Sequence, residues 1–526
     1  MTVREELYNG INIQKPWPPR MKEKEQALKK NIDRIPETIC YLSNPPKVIP
    51  IHVGRQLFVD DFLIDTSTLQ RKYYYPEPYV GNPILKPQTK IEKNEGCCPV
   101  AATFTDGVFY DSKDGLYKMW YQAGWFDGTA YAESLDGQNW YRPDLDVVPG
   151  TNMVLPFRKG YKRDGATVWI DHETKDPKSR YKLFVFFRKN EVEEIGELYI
   201  SSDGIHWNGP TITGPCGDAS SFFYNPFRKK WVFSIRKVDV EGDFHYRYRQ
   251  YYETEDFLKG ADWGRNDPVF WYGADDLDKK HAIYDCTTQL YGVDCVAYES
   301  ILLGAFEIFK GPHNRIAEEL GVPKQCDITL GYCRPDRTAF LKGSEKKGTW
   351  DYGYIHASGG LCIVEKDQLR FYYSAWSGES PKYGKHMYAG GATGYATLRR
   401  DEFASVAAEK EGFLKTRVLV FKGEYLWLNT ISDLGEVRVE VRTASDEPIN
   451  GFRKEECEPV ITDSTKVMVR WSSGNSLKQL EGKPIRFVFW IRKAEVFSFW
   501  VSDDERGKSR GYMGAGSTNC EGIRDI

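Results

Sequence analysis

Between Gln56 and about residue 403, apolar and polar positions cycle through one pattern. A short apolar run is followed by a polar turn, a strand rich in alternating aromatics, a third strand, and a turn carrying Asp and Trp. Neighbouring side chains on a strand face opposite ways, so such alternation predicts strands with one packed face. The second-strand copies are 116–121, 181–187, 231–235, 301–306 and 369–374. The clearest closing turns are Ser134-Leu135-Asp136-Gly137-Gln138-Asn139-Trp140 and Ser201-Ser202-Asp203-Gly204-Ile205-His206-Trp207. Degraded copies are Glu255-Asp256-Phe257 with Trp263, Arg334-Pro335-Asp336, and Arg400-Asp401-Glu402-Phe403. In the intact turns Asp can accept from backbone N–H groups while Gly takes a positive φ, and Trp is expected to pack between units. Five units of roughly 50–80 residues predict an all-β fold, a five-bladed β-propeller spanning residues 53–404.

After about residue 405 the Asp–Trp turn disappears while alternating strands continue at 417–421, 425–429, 436–442, 466–471, 485–491 and 496–501. This predicts a C-terminal β-sandwich over residues 405–526, the last twenty forming a surface tail. Residues 1–52 contain Pro16, Pro18 and Pro19 and a charged stretch, 21–33, that reads as a solvated helix. They are expected to form an arm on the main domain.

The chain has 526 residues, enough for two or three domains, with 75 acidic against 72 basic residues and a formal net charge of −3. No basic run is present, so a nucleic-acid partner is not expected. No window reaches eighteen apolar residues and the first ten lack an apolar core, so neither a membrane span nor a secretory signal is expected and the location is read as cytoplasmic. The 11 cysteines form no C-x-x-C pair, and Cys97-Cys98 reads as buried thiols. Aromatic residues reach 14%, which suits a carbohydrate cleft as well as strand packing. No cofactor is expected, an ion on the propeller axis is left open, and so is the oligomeric state.

Candidate chemistry lies where the first strands begin. Arg163-Asp164 and Gly217-Asp218 each place an acid seven residues ahead of a turn residue, Asp171 and Asn225. Asp106 and Asp294 stand five ahead of Asp111 and Glu299, and His356 stands nine ahead of Glu365. In a propeller these starts converge on one mouth. Carboxyls that share a partly buried mouth have pKa values driven apart, which suits glycosidic cleavage by one protonated and one ionised group. Each Asp is equally able to cap only its own loop, and His356 to be a satisfied structural residue. Glu299 and Glu365 fall on the opposite rim and are expected to be structural. Arg163, Arg188 and Arg236 are candidates for substrate binding. The run Gly390-Gly391-Ala392-Thr393-Gly394 lacks a P-loop lysine, so it is not read as a phosphate loop.

Arg163-Asp164 resembles the Arg-Asp-Pro motif of family 32 glycoside hydrolases, the invertase and inulinase group, with Gly165 in place of Pro. Gly217-Asp218 falls where that family has Glu-Cys, and Phe104 falls where its nucleophilic Asp would be. Residues 55–503, with Leu57-Phe58-Val59-Asp60-Asp61 and Tyr224-Asn225-Pro226-Phe227-Arg228-Lys229, resemble a group of bacterial family-32-like proteins. His356 resembles a histidine on the axis of the related family 43 enzymes. The resemblance implies a five-bladed propeller followed by a sandwich, a preference for furanosides or exo-action, Asp164 as transition-state stabiliser and Asp218 as general acid/base. The nucleophile or base is left open among Asp60, Asp61, Glu95, Asp106 and Asp294. The reading that follows is a glycoside hydrolase acting on an oligosaccharide or small glycoside. The alternatives are a phosphorylase using one Asp and inorganic phosphate, and a carbohydrate-binding protein without turnover.

Overall fold

The computed structural model describes residues 4–19, 25, 34, 36, 39–190, 192–241, 244–283, 286–331 and 337–526. The expected helix over 21–33, residue 25 apart, and the turn at 334–336 lie outside these residues. Among the described residues the repeats form antiparallel meanders. Three are four-stranded sheets whose first strands are Ala101–Asp111, Tyr161–Ile170 and Ser221–Asn225. Two more begin with Gln289–Glu299 and Tyr354–Glu365 and share one sheet through a single parallel bridge, Cys326 to Tyr354. The five first strands touch one another in cyclic order, the fifth returning to the first, and so form a closed ring. Glu77–Pro78, from ahead of the first unit, adds the outermost strand to the fifth by pairing with Ala396 and Thr397.

The closing turns explain how neighbouring units are held. Asp136 Oδ1 accepts from the backbone N–H of Gln138 and Asn139 (both 2.8 Å), and Gly137 has φ 68°. Asp203 repeats this with Ile205 (2.8 Å) and His206 (2.9 Å). Each turn is then held by an aromatic side chain of the adjacent unit. Trp120 Nε1 donates to Gly204 O (2.8 Å) and Tyr372 Oη to Gly137 O (2.9 Å). The turn is shaped by its own seven residues, and the contact between units is made by an aromatic donor from outside them.

A second sheet of ten strands has its own core, including Phe58, Phe487, Phe489 and Phe499. Its spine is Ile485–Ser502, which pairs with Glu436–Thr443 along its first half and with Tyr425–Ile431 along its second. One expected boundary changes. Gln56–Leu57, Ile64–Ser67 and Gln70–Tyr73, assigned to the repeating region, pair with this second sheet instead. Short strands without an Asp–Trp turn have no neighbouring unit to clasp, and here they complete the sheet that the C-terminal strands leave unfinished.

The last residues are no surface tail. Tyr512–Met513 pairs with Tyr298 and Glu299, Gly514 bridges to Ile363, and Tyr110 N donates to Ala515 O (2.9 Å). Met513, Ala515 and Ser517 are buried. Small residues allow the backbone to pass this close, at a rim where the first strands of three units end.

Glu299 and Asp401, both fully buried, hold the two sheets together. Arg400 Nη2 donates to Glu299 Oε1 (2.7 Å) and Arg55 Nη1 to Asp401 Oδ2 (2.9 Å). Ser509 Oγ donates to Glu299 (2.7 Å) and Ser498 Oγ to Asp401 (2.6 Å). Burial pushes Asp401 up, but Arg55 and Arg400 outweigh it and bring its carboxyl down to about 2. Its contribution to stability is therefore present above the ordinary unfolded value and is lost as pH falls toward 2. Replacing Glu299 with Gln leaves a surplus buried cation. Urea unfolding is expected to show a loss on the order of 3 kcal/mol, as for broken buried ion pairs.

Candidate active site

The first strands do not run straight to their starts. Ala102 pairs with Gln122 but the next pair is Gly107 with Trp120, so four residues oppose one. Arg163 pairs with Phe187 and Ala166 with Val185, leaving Asp164 and Gly165 opposite one residue. Leu290 pairs with Ile308 and Gly292 with Glu307, which expels Tyr291 from the register. A bulge re-aims the side chain it carries. Here the three bulges bring Phe104, Asp164 and Tyr291 to the wall of one cavity of about 360 Å³. Gly165 takes φ 123°, a conformation that strains any residue with a Cβ. Ala219, at φ 51°, turns the chain just before the third unit's first strand and places Asp218 on the same wall.

Arg188, at the end of the second unit's second strand, joins the two acids. Its Nε donates to Asp164 Oδ2 (2.7 Å) and its Nη2 to Asp218 Oδ2 (2.6 Å). Arg236 Nε donates to Asp218 O (2.8 Å) and pairs with the Asp218 carboxylate. The two carboxyls differ in electrostatic setting. Burial raises Asp164, the adjacent Asp218 raises it further, and Arg188 and Arg236 do not cancel the rise. Burial also acts upward on Asp218, but Arg236, Arg188, Arg247 and Lys324 outweigh it and hold that carboxyl below the usual range. Like charges held close together titrate apart, and the cations decide which of the two remains ionised.

The remaining wall is aromatic. Trp125 stacks on Tyr388 (centroids 4.3 Å, planes 14° apart), and Tyr354 Oη donates to Tyr291 Oη (3.2 Å). Trp376 and Phe104 complete it. Arg247, Asn314 and Lys324 also line the cavity, and burial with the field of Arg247 brings the Lys324 ammonium down to about 7.

Several expected site residues lie elsewhere. Arg163 is buried and pairs with Asp106, because its side chain leaves the strand on the face opposite Asp164. This pair is internal to the wall between the first two units, so neither residue meets the cavity. Asp294 is buried within the fourth unit's first strand, where burial and Glu307 raise it to about 7. His356 shares its Nδ1 hydrogen bond with Glu307 (2.8 Å) and supports Phe104 from behind, at 4.5 Å between centroids. Asp61 is 68% exposed and pairs with Arg71 (2.5 Å) in the second sheet. Asp60 accepts from Tyr41 Oη (2.9 Å), and Glu95 is exposed on a turn at φ 50°. Of the residues first proposed, Asp164, Asp218 and Arg188 line the cavity and Arg236 supports it.

Arg247, Lys324 and Asn314 were not anticipated. Lys324 and Asn314 belong to an insertion between two strands of the fourth unit that contains the helix Asn314–Leu320. Its one sequence signal is the long connection between 311 and 325, which interrupts the meander. Among the described residues no group of three His, Cys, Asp or Glu side chains is placed to hold a metal ion. No described helix is long and apolar enough to cross a membrane.

No family model matches the chain, and no curated protein matches it significantly. It is similar to several solved structures. One is an N-acetylgalactosamine deacetylase from F. plautii in complex with blood group B trisaccharide (15% identity, 61% of this chain and 97% of that one, TM-score 0.38). Another is a thermostable family-43 glycoside hydrolase (14%, 59% and 96%, TM-score 0.39). A third is a family 32 β-fructofuranosidase from Bombyx mori (10%, 81% and 96%, TM-score 0.35).

Removing the Arg188 charge as Arg188→Met takes away the cation common to both acids. Carbon-13 NMR titration of labelled aspartates is expected to show both carboxyl pKa values rise, since each is lowered by Arg188. An unchanged Asp164 would show that Arg188 does not act on it.

Proposed function

We propose that this chain is a glycoside hydrolase whose five meanders are the blades of a propeller and whose ten-stranded sheet is an appended β-sandwich. The observation that carries the reading is one pair of carboxyls, Asp164 and Asp218, held on a single guanidinium in an aromatic cavity with pKa values displaced in opposite directions. Glycosidic cleavage needs such a pair. Asp164, raised, gives a proton to the leaving oxygen. Asp218, held ionised, either takes a proton from water or attacks the anomeric carbon. The electrostatics thus favour Asp164 as the acid, where the family resemblance implies Asp218. Arg188 orients both groups and Gly165 permits the bulge that brings Asp164 forward. Trp125, Tyr388 and Trp376 offer ring faces to the C–H faces of a sugar. A cavity of about 360 Å³ is at the small end of ligand pockets, roughly 300–1,000 Å³. That supports action on a terminal sugar rather than on the middle of a long chain.

The test is turnover of aryl furanosides and pyranosides by the wild type and by Asp164→Asn, Asp218→Asn and Asp61→Asn. The first two are expected to lose about 10²–10⁴-fold in kcat/KM, the range of a lost general acid or base, while Asp61→Asn keeps full activity. Binding of sugars without cleavage of any glycoside would identify a carbohydrate-binding protein instead.

The pH profile has a defined sign. Activity is expected to fall at low pH as Asp218 protonates, below the ordinary carboxylate range, and at higher pH as Asp164 ionises. Lys324 lies in the field of Asp164, so Lys324→Met should move the alkaline limb upward. Disappearance of that limb in Lys324→Met would assign it to the lysine.

A further inference from the structure

The charges lining the cavity do not balance. Asp164 and Asp218 are paired with Arg188 and Arg236, and another cation of the lining, Lys162, lies over the Phe126 ring (5.8 Å). Arg247 and Lys324 remain, and among the described residues no carboxylate stands within ion-pair distance of either. Lys324 is only 3% exposed. Its Nζ donates to Tyr388 Oη (2.5 Å) and lies over the rings of Tyr388 and Tyr354, at 4.5 and 5.3 Å. Arg247 donates from Nη1 to Gln289 Oε1 (2.7 Å), while its buried Nε meets no acceptor among the described residues. Tyr388 Oη accepts from Lys324 and also from Asn314 Nδ2 (3.2 Å). An oxygen accepting twice turns its own hydrogen elsewhere, and no described protein group takes it.

Three donors, on Arg247, Lys324 and Tyr388, thus converge at the cavity with no carboxylate in ion-pair distance, and Asp218 acts on the two basic ones only through its longer-range field. Sequestering a cation without a counter-charge is costly, and a ligand anion offsets that cost with charge-assisted hydrogen bonds. Tyrosine rings soften the burial of Lys324 but supply no charge. A purely neutral sugar would leave the same imbalance in the complex.

We propose that the ligand of this cavity carries an anionic group (carboxylate, sulfate or phosphate) seated on Arg247, Lys324 and Tyr388. The inference rests on the reading of the cavity as the sugar site and specifies its substrate class. The anion belongs either to an acidic sugar or to inorganic phosphate entering beside a neutral one. The chemistry that receives it is the same.

The test is calorimetric titration of the full chain with matched pairs: methyl glucuronoside against methyl glucoside, galacturonate against galactose, and galactose 6-sulfate against galactose. Inorganic phosphate and sulfate are titrated alone and together with the neutral sugars. The acidic members are expected to bind about tenfold tighter or more, the scale of a charge-assisted hydrogen bond. The preference should collapse in Lys324→Met and in Arg247→Gln, each checked for an unchanged unfolding temperature. Arg247 is half-buried, so it supplies a readout even where the lysine variant fails to fold. Binding of inorganic phosphate without preference among the sugars supports the proposal with the free ion as the source. Equal binding of acidic and neutral sugars with no binding of either ion overturns it, as does a preference that survives both substitutions. Anion preference without cleavage of any glycoside removes the hydrolase reading and leaves this one. Cleavage of neutral glycosides with no anion preference does the reverse.

Discussion

Four buried charges, Arg55, Glu299, Arg400 and Asp401, lie where the structure's separate parts meet. Glu299 ends the fourth unit's first strand, Arg400 and Asp401 follow the fifth unit's last strand, and Arg55 stands just before Gln56–Leu57 of the second sheet. Ser498 and Ser509 add the C-terminal region. The contributing residues come from four stretches, at 55, 299, 400–401 and 498–509, each far from the others in the chain. The cluster forms only after the ring has closed and the second sheet has docked, so it rewards the complete fold and none of its fragments. Two acids and two guanidiniums neutralise one another and the hydroxyls satisfy further oxygen lone pairs, which is the condition for burying ions without a large penalty.

Closure at that rim has consequences at the other. Ring geometry is continuous, so pinning the strand ends also determines where the strand starts converge. There the strands abandon regular pairing. Bulges at 103–106, 164–165 and 291 break the ladder where a cavity needs side chains pointing inward. The contrast between Arg163 and Asp164 illustrates the control this gives. One residue is sealed in a buried pair with Asp106, and the next faces the cavity in contact with Arg188. Regular strand structure holds the wall, and the irregular step presents the chemistry.

The two rims also treat their acids differently. At the closed rim the cations are matched one for one, and the outcome is stability. At the cavity the acids share a guanidinium, and further cations set which of them stays ionised. The same residue types therefore serve cohesion at one end and reactivity at the other, according to whether each charge has its partner within the protein.

The repeat pattern, the Asp–Trp turns and the offsets of Asp164 and Asp218 were legible in the sequence, because each depends on residues within a few positions of one another. A turn such as Ser134 to Trp140 contains its own hydrogen-bond partners, and a period-two strand displays its packed face. Asp106 and Asp294 satisfy similar spacing rules yet are buried away from the cavity. The pairing register at the bulges decides this, and it involves a second strand that spacing alone does not describe. Asp61 sits in an acidic strand end much like a site, but its strand is claimed by a sheet whose other members lie hundreds of residues later. Arg247 comes from Asp218's own unit, but Lys324 and Tyr388 come from the fourth and fifth, and only the packing of units brings them to the same cavity. Local chemistry was written in the order of the residues. The charge surplus of the cavity was decided by tertiary structure, since it is a sum over side chains that share space and not sequence.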